Sequence, residues 1–93
     1  EKVKTNPDKD RNVDYFIQVG AFSEESPADN LKAKLALMGF ESVIMSAKIG
    51  NNVFHRVSVG PYQKYEKAKD VSEQLMKEGF KANLTKLTRP KVN

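Results

Sequence analysis

The pattern of apolar and polar positions predicts a strand followed by a helix twice along the chain. In the first copy, alternation over residues 15–19 favours a strand that ends at Gly20. The helix after it has one apolar face, formed by Ala28, Leu31, Leu35 and Met38. We expect Ser26 to cap this helix at its N terminus and Pro27 to occupy its first position. Gly39 is expected to end it.

The second copy begins after a predicted β-hairpin. Residues 42–48 and 54–59 read as the second and third strands, and Gly50-Asn51-Asn52 as the turn between them. A second helix is predicted over residues 65–78, with an inward face made of Ala68, Val71 and Leu75. Gly79 is expected to end that helix, and residues 81–87 form the fourth strand.

An internal repeat relates the two copies. The string VGAF at 19–22 recurs as VGPY at 59–62, and GF at 39–40 recurs at 79–80, so both matches have an offset of 40 residues. Two strand–helix–strand units joined by a hairpin predict an α+β fold with βαββαβ order. This is the ferredoxin-like, RNP-like plan, in which a four-stranded antiparallel sheet carries both helices on one face.

The other face of that sheet is expected to be open. If Ile17 and Val57 point toward the helices, alternation gives the open face two aromatic rings, a guanidinium, an amide and a hydroxyl. These are Phe16, Gln18, Phe54, Arg56 and Ser58. Aromatic rings flanked by polar groups suit a planar or ring-shaped ligand, although a further element or a protein partner can also cover such a face. The alternation of strands two and four is poor and leaves the faces of Ile44 and Leu84 undecided.

Composition bounds the size and class of the protein. The 93 residues include no cysteine and have a net charge of +4, which predicts one small domain without disulfides. We expect the domain to span 14–87, with a polar lead-in at 1–13 and a tail at 88–93. Ten basic and nine acidic residues fall in 14–87, so the domain itself has a net charge of only +1. We expect no membrane contact by this segment, and read it as a module of a longer protein whose signal or anchor lies elsewhere.

Residue types that carry catalysis do not form a recognisable constellation. The only histidine, His55, is expected to be structural and to face the helices or the rim of the sheet. A single histidine without cysteines makes a poor metal site, and no serine has a base near it in sequence. We therefore expect a non-enzymatic protein without a cofactor.

The strings YFIQVGAFSEESPADNLKAKLALMGFES and FHRVSVGPYQKYEKAKDVSEQLMKEGFKANL resemble the two halves of a SPOR (sporulation-related repeat) domain, over about residues 14–87. The resemblance implies binding to bacterial peptidoglycan, with preference for glycan strands from which amidases have removed the stem peptides. It implies a periplasmic or extracytoplasmic location at the division septum, and other cell-division proteins as further partners.

The resemblance also implies a glycan site. By motif position it comprises Gln18, Ala21, Phe54, Arg56 and Leu84, with Ala21 standing where many members have Ser. Arg56 is expected to pair with the lactyl carboxylate that removal of a stem peptide exposes. Gln18 suits N-acetyl and hydroxyl groups, and Phe16 and Phe54 suit sugar-ring stacking.

Two other functions fit the same fold. An RNA-recognition module also uses sheet aromatics, but the RNP1 octamer is missing from strand three and the domain has little net charge. A protein-docking module would use the open face for a partner surface. We expect glycan binding and no nucleic-acid partner.

Overall fold

The computed structural model describes residues 13–88. In chain order its elements are β1 (Val13–Phe22), α1 (Glu25–Leu37), β2 (Ser42–Ile49), β3 (Asn52–Tyr62), α2 (Tyr65–Lys77) and β4 (Asn83–Thr88). The strands form one antiparallel sheet in the order β2-β3-β1-β4. This confirms the expected βαββαβ fold with β1 and β3 at the centre.

The described part of the chain begins and ends in strands. β1 begins at Val13 and β4 ends at Thr88, one residue beyond the predicted domain at each end. The rest of the predicted lead-in and tail lies outside the described residues. Within 13–88, neither helix is long and apolar enough to cross a lipid bilayer.

Both helices pack on one face of the sheet and form the core with it. Ile17, Val57 and Val59 of the central strands are fully buried against Leu35 of α1 and Leu75 of α2. Smaller side chains let the helices approach the sheet at Ala28 and Ala68, which are also fully buried. The two positions that the sequence left undecided, Ile44 and Leu84, pack against this core as well.

Each helix ends in the same hydrogen-bonded motif. After α1, the amide of Gly39 donates to the Ala36 carbonyl and that of Phe40 donates to the Leu35 carbonyl, at 3.0 and 2.9 Å. This is a Schellman motif, in which glycine takes the left-handed conformation and the next residue packs back on the helix. Gly79 and Phe80 repeat it after α2. The predicted glycine stops are confirmed.

The start of α1 differs from the prediction. The helix begins at Glu25, after Glu24 in the N-cap position, and no side chain caps it. Ser26 and Pro27 are therefore the second and third residues of the helix, so the predictions that Ser26 is the N-cap and that Pro27 is the first helical residue are both wrong. Proline is tolerated there because amides of the first turn have no partner within the helix.

Gly20, which was expected to end strand one, and Gly60, which follows the predicted third strand, both lie inside strands instead. Opposite Gln18 and Gly20, β3 supplies the adjacent residues Ser58 and Val57, so β1 has one extra residue there. The pairs Ile17–Val59 and Tyr15–Tyr62 show that β3 has an extra residue across Gly60-Pro61. The VGAF and VGPY strings thus form β-bulges, which are a common place for glycine within a strand.

The bulge in β1 changes which side chains face the helices. Plain alternation after Gln18 would point Ala21 toward the helices and Phe22 away from them. Because of the extra residue, Ala21 pairs with Arg56 on the open face. Phe22 instead packs against the core.

The β2–β3 hairpin is longer than the rest of the sheet. Its turn consists of Gly50 and Asn51, and its strands pair from Ile49–Asn52 back to Ser42–Val59. β1 pairs with β3 only as far as His55. The last residues of β2 and the first of β3 therefore form a two-stranded extension beyond the core sheet.

Candidate functional site

The face of the sheet opposite the helices, here called the open face, brings most of the predicted site residues together. Gln18 of β1 lies directly opposite Ser58 of β3, and Ala21 lies opposite Arg56. Phe54 points to the same side as Arg56, one alternation step nearer the hairpin turn. Directly opposed side chains have Cβ atoms about 5 Å apart, so these residues form one continuous surface.

Accessibility divides this set into two groups. Arg56 and Ala21 are exposed, and Gln18 and Phe54 are half-buried, so all four present atoms to solvent. Phe16 is only 7% exposed and Ser58 only 3%.

The expectation that Phe16 displays its ring on this face is therefore wrong, and so is the expectation of an accessible Ser58. Phe16 packs over the bulge glycine of β3: a Cβ on Gly60 would lie 3.1 Å from its ring. Its ring therefore presents almost no surface to solvent.

Leu84 does not share this surface. It pairs with Ile17, which points to the helices, and it packs against the helix-side core. The expectation that Leu84 joins Gln18 and Arg56 in one site is therefore wrong. β4 pairs with β1 without a register shift, so Leu84 points to the helices as Ile17 does.

The open face also contains residues that sequence reasoning missed. On the β2 side, Met45 lies opposite Arg56, and Val43 lies opposite Ser58. On the β4 side, Asn83 lies opposite Gln18. A signal for Met45 was present, because counting back along the hairpin from a two-residue turn places it across from Arg56.

Side-chain chemistry changes across the open face. The β2 side is apolar, whereas the β4 side has the amide of Asn83 and the hydroxyl of Thr85. Arg56 lies between them on β3, exposed and with a permanently charged guanidinium. The face can therefore bind a ligand that combines an anionic group, amides and apolar surface.

His55 lies on the other side of the sheet from this surface. It pairs with Phe22, and its Nδ1 is 2.7 Å from the Ser46 hydroxyl oxygen. This placement confirms the expectation that it faces the helix side. No group of three or more potential metal ligands occurs within residues 13–88.

The SPOR domain family matches this chain over residues 12–86. The match covers the βαββαβ unit from the start of β1 to within two residues of the end of β4. The chain belongs to the SPOR domain family. The membership expected from the sequence is thereby confirmed.

Solved structures of two other proteins are similar to this SPOR domain. The RlpA SPOR domain from Pseudomonas aeruginosa superposes with a TM-score of 0.68 at 27% identity, over 82% of this chain and 99% of that one. The peptidoglycan-binding domain of the Bacillus subtilis cell wall lytic enzyme CwlC gives a TM-score of 0.69 at 23% identity, over 95% and 99%. The second likeness shows the fold alone. No curated protein sequence matches the chain.

Proposed function

We propose that this SPOR domain is a non-catalytic module that binds peptidoglycan, and that its ligand is the glycan strand without stem peptides. Family membership supports peptidoglycan as the ligand class. One similar structure is itself a peptidoglycan-binding domain. The observation that carries the finer proposal is the exposed Arg56 on the open face, with Gln18 diagonally across from it on β1 and Phe54 on its own strand.

Arg56 accounts for the preference for stripped strands. Removing a stem peptide leaves a free lactyl carboxylate on the muramic acid, and a guanidinium can hold it through two parallel hydrogen bonds. On an intact strand the same carboxyl group is an amide that carries a bulky peptide. The charge is then missing and the approach is blocked, so selectivity arises as a difference between two affinities.

The neighbouring side chains supply the rest of the recognition. Gln18 can donate to and accept from N-acetyl groups and hydroxyls, and Asn83 opposite it can do the same. Phe54 is partly exposed and can present part of its ring to the apolar side of a sugar. Phe16 is almost fully buried, so it presents little of its ring to such a ligand.

Such a module would work outside the cytoplasm and bring its parent protein to the division septum, where stripped strands accumulate. Co-sedimentation with purified sacculi tests the binding. One sample is untreated and the other is digested with an amidase. We expect the wild type to bind the digested wall more strongly.

The variants locate the site. Gln18→Ala/Arg56→Ala should bind roughly 10- to 150-fold more weakly, because a hydrogen bond to a charged group is worth about 1.5–3 kcal/mol. Gln74→Ala/Lys77→Ala is the matched control, since it removes one amide and one positive charge from exposed positions of α2. Equal loss in both double variants, or no retention of the wild type, would contradict the proposal.

Protein docking is a second candidate function for the same face. Ile49 is 53% exposed and Leu87 is 48% exposed, and both lie on the open side. A concentration-dependent rise in mass, together with no retention by either wall sample, would favour it.

A further inference from the structure

Edge strand β2 turns a continuous line of apolar side chains away from the helices. Opposite the outward residues Phe54, Arg56 and Ser58 of β3, β2 presents Ala47, Met45 and Val43. Ile49 continues the same phase at the end of the strand. We call Val43, Met45, Ala47 and Ile49 the apolar strip.

The apolar strip continues past the core sheet. Six strand steps separate Val43 from Ile49, which is about 20 Å at the usual rise per residue. Its far end lies on the two-stranded extension of the hairpin, where β1 no longer pairs with β3. Ile49 is 53% exposed there. The strip is longer than a single sugar, so it extends beyond what a site at Gln18 and Arg56 needs to bind one sugar.

The strip is bordered by the groups that the proposed site already uses. Met45 lies directly across from Arg56, and Ala47 directly across from Phe54. A ligand seated on Arg56 and Phe54 that continues toward the hairpin turn must therefore lie along the apolar strip. Val43, Met45 and Ala47 are partly exposed and Ile49 is exposed. Apolar side chains grouped in this way beside a polar site mark a binding surface more often than isolated ones do.

We propose that the apolar strip extends the glycan site along β2, so that a long glycan strand lies parallel to β2 and β3 and runs from Arg56 out over the hairpin. The inference rests on the proposed function. It adds a direction for the ligand, a dependence on its length, and two specificity residues, Met45 and Ile49. The methyl groups of N-acetylated sugars are the ligand atoms that suit the strip.

Charge complementarity favours a stripped glycan over a protein as the occupant. The basic residue beside the strip, Arg56, matches a strand that has a carboxylate on alternate sugars and an apolar acetyl methyl on every sugar. The strip is also continuous with the proposed glycan site, because it adjoins Arg56 and Phe54. One ligand can therefore cover both surfaces.

Two threonine substitutions in the hairpin test this proposal. Ile49→Thr removes apolar surface from the strip and keeps a β-branched side chain. Val53→Thr is the matched control, because Val53 is 42% exposed in the same hairpin but pairs with Lys48 on the opposite face. Binding is measured by calorimetry with stripped glycan fragments, either one disaccharide long or several times longer. Met45→Thr is measured alongside.

We expect Ile49→Thr to bind the long fragment about fivefold more weakly and the short fragment as the wild type does. Met45→Thr should weaken both, because Met45 adjoins Arg56, and Val53→Thr should weaken neither. If Ile49→Thr binds long fragments with the same affinity as the wild type, the glycan does not extend along the apolar strip. The proposed site at Gln18, Phe54 and Arg56 is then unaffected.

Other outcomes also decide the matter. Equal losses in Ile49→Thr and Val53→Thr would assign the effect to the hairpin fold and overturn the extension. No binding of either fragment by the wild type would overturn the proposed function itself. Self-association of the wild type that Ile49→Thr abolishes, with glycan affinity unchanged, would make the strip a protein interface.

Discussion

Gly60 of β3 packs closely against Tyr15 and Phe16 of the neighbouring strand. Gly60→Ala should therefore destabilise the fold more than the addition of one methyl group usually does. Gly60 has a φ of +138°, which side-chain-bearing residues rarely adopt. A Cβ there would lie 2.9 Å from the Tyr15 carbonyl oxygen and 3.1 Å from the Phe16 ring. The nearest atom belongs to the backbone of the neighbouring strand, so no side-chain rotation can relieve the contact.

Two costs add in this variant. The left-handed backbone costs about 1–2 kcal/mol, and forcing apart two paired strands costs about 1–2 kcal/mol more, as overpacking does. The free energy of unfolding should fall by about 3 kcal/mol. For a domain of this size, that lowers the melting temperature by about 15 °C. Thermal unfolding followed by far-ultraviolet circular dichroism measures it.

Gly79→Ala separates the two costs. Gly79 has a φ of +94°, but a Cβ on it would meet nothing within 4 Å. This variant should therefore lose only about 1–2 kcal/mol, from backbone strain. If Gly60→Ala is no less stable than Gly79→Ala, the contact with the Tyr15 carbonyl has no energetic consequence and the reasoning fails.

Two further predictions concern the helix side of the sheet. Leu84→Ala should lower the free energy of unfolding by about 2 kcal/mol and leave glycan affinity unchanged below the melting temperature, because Leu84 packs on the core; weaker binding by the folded variant would return Leu84 to the site. Burial raises the pKa of Tyr62 above 10.0, and the Glu41 carboxylate raises it further. The folded state holds that proton more tightly, so its stabilising effect is complete below pH 10 and is lost as the pH rises. The melting temperature should therefore fall more steeply above pH 10 for the wild type than for Tyr62→Phe, and parallel curves would contradict this.

The repeat and the core followed from the sequence because both depend on periodicity. Helical spacing identified the buried positions Leu35 and Leu75, and the glycine–phenylalanine pairs identified the helix ends. Alternation also assigned Gln18 and Arg56 to the open face, since both lie next to fully buried residues. Local sequence patterns were sufficient to predict the direction of a side chain wherever one side of its strand or helix packs in the core.

The bulges could not be predicted in this way. Glycine ends a strand in one context and forms a bulge within it in another, and the difference lies in the partner strand. Gly20 and Gly60 stay inside their strands because β1 and β3 continue to pair beyond them. The burial of Phe16 likewise depends on the missing side chain of Gly60 on the neighbouring strand, a relation between residues 44 positions apart in sequence.

The internal repeat distinguishes the core residues from the residues of the open face. With the offset of 40, inward positions keep their character: Ile17 corresponds to Val57, and Phe22 to Tyr62. These pairs pack against the same core.

The outward positions differ in character between the two copies. Phe16 corresponds to Arg56, a buried ring against an exposed guanidinium, and Gln18 corresponds to Ser58. Core packing does not require this difference, because the core surrounds an approximate twofold axis and similar residues satisfy it on both sides. A glycan strand has two chemically different ends and two alternating sugars, so its site gains nothing from twofold symmetry. The asymmetry of the open face therefore fits the directional ligand that we propose for it.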